Sequence, residues 1–250
     1  MGAGGKHHFP ISIGFVAGGR GDKLARMGIG GRVAGERKAP QRQARGRVRI
    51  AAILDAADRV VARQASTAVS LQEVAQEAGL PVASVYHYFA TPQALLIALA
   101  QRYLLALEEL AAQPLAHEEL THWADIARFH ARQSIAFYNA HPVAMRLLFG
   151  PESGGAIRAA DQESTLRVGR IYCRKLAQHF AVEPGPALEE AFAIAVTLSD
   201  AVWALSFARH GCIEAGMAEE AMRARLAYLR LYVGEFVARR AVAKDHIDPS

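Results

Sequence analysis

Apolar residues recur at steps of three and four along most of the chain, and this periodicity predicts helices rather than strands. Runs in which apolar and polar residues alternate, as in a half-buried strand, are almost absent. Helix-favouring Ala, Leu, Glu and Arg dominate the composition. We therefore expect an all-α protein whose helices bury their apolar faces against one another.

The best-defined element is the stretch 71–89, LQEVAQEAGLPVASVYHYF. Ser70 and Glu73 form an S-x-x-E capping box, which predicts a helix start just after Ser70. Gly79 follows its last turn, where a left-handed residue ends a helix at little cost, and Pro81 suits the start of a second helix. Any short helical hairpin could carry such caps, but the full spacing of small, glycine and apolar residues favours a helix-turn-helix unit.

Further helices are predicted on both sides of this hairpin. One begins at about Arg47 and packs across the hairpin to complete a three-helix unit. Thr91 and Pro92 start a long helix that Pro114 ends. The remaining predicted helices cover residues 117–139 and 142–149. A loop at 150–155 follows, and three further helices contain the apolar positions within 166–180, 188–205 and 222–236.

The last two predicted helices carry long apolar seams with heptad-like spacing, separated by the segment 211–216. Such seams predict an antiparallel helical hairpin that pairs with a second copy of itself in a four-helix bundle. Core packing within one chain is the alternative. The candidate dimer-interface residues are Leu188, Ala195, Leu198, Val202, Leu205, Met222, Leu226, Leu229, Val233 and Phe236.

Charge is distributed unevenly along the 250 residues, which are 52% apolar and carry a net charge of +5. Residues 1–49 hold eleven Lys/Arg against two Asp/Glu, a net charge of +9, so that the rest of the chain carries −4. We expect residues 1–44 to be a disordered basic arm and residues 241–250 a tail. The arm could lie along DNA phosphates or merely keep the protein soluble. Met27 is an alternative translation start, which the intact mass of the native protein would test.

Cysteine usage and hydropathy favour a cytoplasmic protein. Cys173 and Cys212 make neither a disulfide framework nor a C-x-x-C motif, which suits a reducing compartment. No secretory signal is convincing. The segment 191–208 is the nearest to a membrane span, but Asp200 interrupts it, so we expect a buried helix and no membrane partner.

The segment from Arg47 to about Leu107 resembles the N-terminal domain of TetR-family transcriptional regulators. Thr67, the hairpin with its V-Y-H-Y-F run, and the pair Leu95-Leu96 carry the resemblance. It implies a helix-turn-helix DNA-binding domain over residues 45–107, with its reading motif at 70–89. A larger helical ligand-binding and dimerisation domain is expected over 108–240, where the chain resembles the family only in the number and length of helices.

By resemblance, the second helix of the hairpin enters the major groove of double-stranded DNA. The family often has hydrogen-bonding or basic residues in its first turn and just after the hairpin, where this chain has small and apolar ones. We therefore expect readout of thymine methyls and DNA shape, with phosphate affinity shifted to Arg45, Arg47 and Arg49. The candidate DNA-binding residues are Arg47, Thr67, Ser70, Pro81, Val82, Ala83, Ser84, Tyr86, His87 and Thr91.

The resemblance also implies that the helical body binds a small-molecule effector. The candidate pocket residues are Trp123, Phe129, His130, Phe137, Tyr138, Met145, Phe149, Tyr172, Trp203 and Phe207, although each is also a candidate for the core. Asp200 could bind a polar group of the ligand or pair with an arginine across the dimer. We expect a homodimeric repressor that an effector releases from a palindromic operator, with the helix from Pro92 as the lever.

Enzymatic chemistry finds little support in the sequence. His117, His122 and His130 are the nearest histidine cluster, and their spacing does not place all three on one helical face. Nucleophile motifs, phosphate loops and zinc patterns are absent from the sequence. We expect no catalytic residues, metal or cofactor. The alternatives are a small-molecule-binding helical enzyme or sensor without a DNA role, and an RNA-binding protein with a basic arm.

Overall fold

The computed structural model describes residues 38–64, 66–151 and 153–241, with side chains from residue 44 onward. Within these ranges the protein is helical, and its only β-structure is an isolated bridge between Phe180 and Arg239. The all-α class is therefore confirmed. The helices are α1 (Lys38–Arg63), α2 (Leu71–Ala78), α3 (Val82–Tyr88), α4 (Pro92–Ala112), α5 (Ala124–Ala140), α6 (Pro142–Phe149), α7 (Gly155–His179), α8 (Pro186–His210) and α9 (Ala215–Leu229), with a 3-10 turn at His117–Glu119.

The hairpin of α2 and α3 packs on α1 and is capped as the sequence predicts. Ser70 Oγ accepts a hydrogen bond from the Glu73 N–H at 3.2 Å, and the Ser70 N–H donates to the Glu73 carboxylate at 2.9 Å. Gly79 ends α2 with φ of +64°, a left-handed conformation in which a side chain would be strained. Pro81 is the N-cap of α3 rather than its first residue.

Three predicted boundaries were wrong. Helix α1 begins at Lys38, so residues 38–44 are helical and not part of a disordered arm. Helix α5 begins at Ala124 instead of His117, because the Asp125 carboxylate accepts the backbone N–H groups of Thr121 and His122 and holds them in a turn. Helix α9 ends at Leu229, well before Phe236. The predicted arm over residues 1–37, the alternative start at Met27 and the tail after residue 241 lie outside the described residues.

The apolar core forms two clusters. The first runs without a break from the small N-terminal domain into the body, and includes Ile53, Val85, Leu99, Met145 and Trp203. The second lies deeper in the body, where α5, α7, α8 and α9 meet. The first cluster spans both domains, so packed side chains connect the helices of the body with the hairpin.

Helices α7, α8 and α9 form the largest packed layer of the body. A Cβ atom at Gly169 of α7 would lie 2.7 Å from the Glu189 carbonyl oxygen of α8, so only glycine permits this approach. Helix α8 is long and apolar enough to cross a bilayer, with a mean hydropathy of 1.7. It packs between α7 and α9, but only 39% of its most apolar 18-residue stretch is buried, so one face of the helix stays exposed.

Candidate nucleic-acid interface and internal cavity

The first turn of α3 presents a small, largely apolar surface. Pro81, Val82 and Ala83 are exposed and Ser84 is half-buried. Further along the helix, Tyr86 and His87 are exposed, and the Tyr86 hydroxyl accepts a hydrogen bond from Gln72 Nε2 at 3.3 Å. This surface offers few hydrogen-bonding groups to base edges, which agrees with the expected readout through thymine methyls and DNA shape. That readout stays a prediction.

Three hydroxyl residues predicted to contact DNA have roles within the chain. Ser70 caps α2, and Thr91 Oγ1 accepts the Ala94 N–H at 3.1 Å and caps α4. Thr67 is only 8% exposed and lies inside the small domain. The phosphate contact predicted for Thr67 stays a prediction.

Arg45, Arg47 and Arg49 of α1 are exposed, but they do not form one patch. Arg45 and Arg49 are one helical turn apart and share a face. Arg47 is turned about 200° from each of them, since a helix rotates about 100° per residue. Gly46 lies beside the Tyr88 hydroxyl, so this part of α1 runs close to the end of α3.

The body contains a cavity among α4, α5, α7, α8 and α9. The volume in which the centre of a water molecule fits is about 40 Å³. Its wall combines apolar, aromatic, hydroxyl and charged side chains. The lining residues are Leu104, Leu107, Ser134, Tyr138, Asp161, Ser164, Thr165, Val168, Tyr172, Val196, Asp200, Trp203 and Arg225.

Three charged groups define the electrostatics of the cavity. Burial raises the pKa of Asp161 to about 6. Burial and the nearby Asp161 charge raise the pKa of Asp200 to about 7, and Arg225 opposes this shift. Arg225 is only 4% exposed, and its Nε donates to the Ala195 carbonyl oxygen at 3.3 Å. Desolvation lowers the pKa of the Arg225 guanidinium.

Trp203 has an unmet hydrogen-bonding requirement. Its side chain is 2% exposed, and its indole Nε1 has no hydrogen-bond partner among the described residues. The Arg225 guanidinium carbon lies 5.9 Å from the centroid of the Trp203 ring. A buried donor without a partner costs free energy, so an occupant of the cavity that supplies an acceptor would be stabilised here.

Two models of the same protein family, one for each domain, match the sequence. Residues 53–99 match the family model for bacterial regulatory proteins of the tetR family, and residues 121–233 match the tetracyclin repressor-like C-terminal domain. The protein belongs to the TetR family of transcriptional regulators. It is therefore a DNA-binding transcriptional regulator and not an enzyme.

Solved TetR-family structures share its fold. A regulator from Streptomyces coelicolor is 23% identical, with a TM-score of 0.57 over 74% of this chain and 97% of its own. One from Rhodococcus sp. RHA1 is 15% identical, with a TM-score of 0.57 over 76% of this chain and 100% of its own. The flavonoid-responsive regulator FrrA is 21% identical, with a TM-score of 0.50 over 74% of this chain and 97% of its own. A search of curated proteins gave no match.

The cavity of this TetR-family protein differs from the predicted pocket. Tyr138, Tyr172 and Trp203 line it as expected. The predicted residues that do not line it are Trp123, Phe129, His130, Phe137, Met145, Phe149 and Phe207. His130 stacks behind the wall on the Tyr172 ring at 4.5 Å, and burial together with the charges of Lys175 and Arg225 lowers its pKa to about 3. His130 is thus a neutral core residue.

Sequence reasoning missed most of the polar lining. Arg225 lies between Ala221 and Leu229 at steps of four, on the buried face of α9. Asp161 occupies an equivalent inward position on α7, eleven residues before Tyr172. The signal that could have found them is a charged residue in register with an apolar stripe. Asp200, which the sequence did single out, lines the cavity.

The predicted dimer seam divides into buried and exposed residues. Five candidates are buried within their own chain and are therefore unavailable to a partner: Leu188, Ala195, Leu226, Leu229 and Val233. Phe236 is 92% exposed but lies beyond α9, while Val202 and Met222 are half-buried. Leu198 and Leu205 belong to an exposed run on α8 made of Ile194, Leu198, Ala201, Leu205 and Ala208, here called the α8 stripe.

Proposed function

We propose that this TetR-family regulator is a homodimeric repressor that leaves its operator when a small molecule occupies the cavity. The proposal rests on the path of α4, which connects the DNA-binding unit with the cavity. This helix begins directly after the reading hairpin, binds α1 in its middle, and supplies two side chains of the cavity wall. Movement of the wall therefore has a direct route to the DNA-binding unit.

The contacts between α4 and α1 are strong enough to transmit such a movement. Arg102 Nη1 lies 2.5 Å from Asp55 Oδ1, and the neighbouring Tyr103 hydroxyl donates to Asp58. Leu104, the next residue of α4, and Leu107, one helical turn beyond Tyr103, line the cavity. A charge-assisted hydrogen bond fixes two elements more firmly than apolar contact alone, so α1 and α4 should move as a unit.

Helix α6 offers a second route. Arg146 Nη1 donates to the carbonyl oxygens of Val61 at 2.5 Å and Gln64 at 2.7 Å, at the end of α1. Phe149 of the same helix lies against the cavity-lining Tyr138, with ring centroids 4.8 Å apart. An occupant that displaces Tyr138 would therefore act on the end of α1 through α6.

The α8 stripe supports a homodimer. Its five residues alternate steps of four and three, which is the spacing of a helix that packs along another helix. A two-fold dimer would present two α3 helices to half-sites about one turn of DNA apart, roughly 34 Å. A repressor of chromosomal genes acts in the cytoplasm. Among the relatives, FrrA is named as flavonoid-responsive, which supports an effector response in this fold.

The test is a footprint of the purified protein on the DNA upstream of its own gene and the neighbouring genes. Protection of an inverted repeat, together with lower transcription from that promoter in vitro, is the expected result. Absence of protection on every such duplex, or higher transcription when the protein binds, would overturn the repressor assignment.

A further inference from the structure

We propose that the cavity binds a small organic cation, either a protonated amine or a quaternary ammonium ion, between the carboxyl groups of Asp161 and Asp200 and an aromatic wall. The inference rests on the proposed function, because it names the chemical class of the effector for the same cavity.

The charges in the wall favour a positive occupant. Asp161 of α7 and Asp200 of α8 face one cavity, and neither has a basic partner within 4.0 Å in the described part of the chain. Arg225 is the only Lys or Arg among the lining residues. With both carboxyls ionised, the lining carries a net charge of −1, and a monovalent cation would balance it.

The raised pKa values of Asp161 and Asp200 agree with the net negative charge of the cavity lining. The pKa values of Asp161 and Asp200 are raised to about 6 and about 7, since burial disfavours their charged forms. A cation placed beside them would favour ionisation of both groups.

Besides the carboxyl groups, aromatic side chains in the cavity wall favour a cation. Tyr138, Tyr172 and Trp203 line the same cavity, and the faces of such rings attract ammonium groups. The buried Trp203 Nε1–H has no partner in the described residues. A hydroxyl oxygen on the ligand could accept from it, so we expect a hydroxyl-bearing ammonium ion to bind more tightly than a purely alkyl one.

The competing occupant is an anion at Arg225. Its Nε is already bonded to the Ala195 carbonyl oxygen, and two carboxyl groups share the cavity with it. An anion would therefore meet net repulsion. Size restricts the cation further, because about 40 Å³ is only a few times the roughly 10–15 Å³ that one water requires.

The experiment measures the dissociation constants of matched small molecules for the full-length protein by isothermal titration calorimetry. Choline is compared with 3,3-dimethylbutan-1-ol, which has nearly the same shape without the charge. Tetramethylammonium, ethanolamine and acetate complete the set. We expect choline to bind at least tenfold more tightly than the neutral alcohol, and acetate not to bind.

Variants assign the effect to the cavity. Asp161→Asn and Asp200→Asn should each weaken choline binding at least tenfold and leave the neutral alcohol unaffected. Trp203→Phe keeps an aromatic ring but removes the N–H, and should reduce the preference for choline over tetramethylammonium. Glu219→Gln removes an exposed carboxylate on α9 and is the control that should change nothing. Thermal melting of each variant verifies its fold.

The inference is overturned if no ammonium ion in this set binds with a Kd below 10 mM, if the neutral alcohol binds equally well, if both Asp→Asn variants retain choline affinity, or if acetate is preferred. Operator footprinting separates this result from the proposed function. A protected operator without cation binding rejects the effector class alone, whereas cation binding without operator protection rejects the repressor alone.

Discussion

Ser70 and Glu73 bond to each other reciprocally at the start of α2, and this pair fixes where the reading hairpin begins. Ser70→Ala removes the acceptor for the Glu73 N–H, so the free energy of unfolding should fall by about 1 kcal/mol in urea denaturation. Ser70→Thr retains the hydroxyl and should keep most of that stability. Equal losses in the two variants would contradict the capping role.

Asp200 makes the stability of the protein depend on pH. Its folded pKa of about 7 lies above the ordinary value of 3.8, so folding favours the neutral carboxyl. Between about pH 4 and 7 the unfolded chain releases this proton while the folded chain retains it, and the free energy of unfolding falls by roughly 2–4 kcal/mol. Asp161 acts in the same direction, while Arg225 opposes the shift.

Asp200→Asn should flatten this pH dependence, because the amide does not ionise, and should make the protein more stable at pH 7. Urea denaturation at pH 5, 6, 7 and 8 measures both effects. An unchanged slope in the variant would show that the Asp200 carboxyl is not the group responsible.

Single residues also show why the cavity was hard to predict. Apolar and aromatic character predicts Tyr138, Tyr172 and Trp203 as lining residues, but core residues such as Met145, which is fully buried, share that character. Arg225 is far from Asp161 and Asp200 in sequence, and only the packing of α7, α8 and α9 brings the three together. Periodicity assigns a residue to a face of a helix, but it does not show which faces leave space between them.

At the scale of elements, α1 places its arginines on two different sides. We expect Arg45 and Arg49 to contact phosphates together, since their shared face concentrates charge. Arg45→Gln and Arg49→Gln should each make the slope of log K against log salt shallower by about 1. Arg47, also a predicted DNA contact, lies on another face, and Arg47→Gln should change the slope less if Arg45 and Arg49 make the main phosphate contacts. Equal effects of all three substitutions would contradict this division.

Helix α6 should hold the end of α1 in place. Arg146→Met removes the donors to the Val61 and Gln64 carbonyl oxygens, so the free energy of unfolding should fall by about 1–3 kcal/mol and operator affinity should weaken. Arg223→Met, which breaks an exposed pair with Glu220 on α9, should change neither quantity. Denaturation and gel-shift titration provide the two measurements. Unaltered operator affinity in Arg146→Met would argue against the α6 route.

Elements defined by local caps were predicted well, and those defined by distant contacts were not. The start of α2 depends on residues three apart, and the sequence identified it. The end of α9 depends on the C-terminal segment, where the chain turns so that Val233 is buried and Ala238 accepts a hydrogen bond from the Ala181 N–H at 2.8 Å. No sequence pattern near Leu229 predicts that contact.

At the scale of the whole molecule, the α8 stripe is expected to form the dimer. Leu198→Glu places a charge in its middle, which should raise the dimer dissociation constant at least about a hundredfold, because a carboxylate would be buried without a partner. Light scattering coupled to gel filtration should then report a monomer, and operator affinity should fall with it. Leu166→Glu alters another exposed leucine, on α7, and is the matched control. A dimeric Leu198→Glu protein would place the interface elsewhere.

The unpaired groups in the cavity have a consequence for the amount of protein in a cell. Among the described residues, the two carboxyls have no ion pair and the indole N–H has no partner, so an occupant that binds only the folded state would increase the stability of the protein. Because Trp203 belongs to the core that continues into the reading hairpin, this gain would protect both the body and the hairpin from unfolding and proteolysis. Under the proposed function, exposure to effector would lengthen the half-life of the repressor while switching it off. The cell would then hold a larger reserve of repressor, and the operator would be occupied again sooner once the effector disappeared.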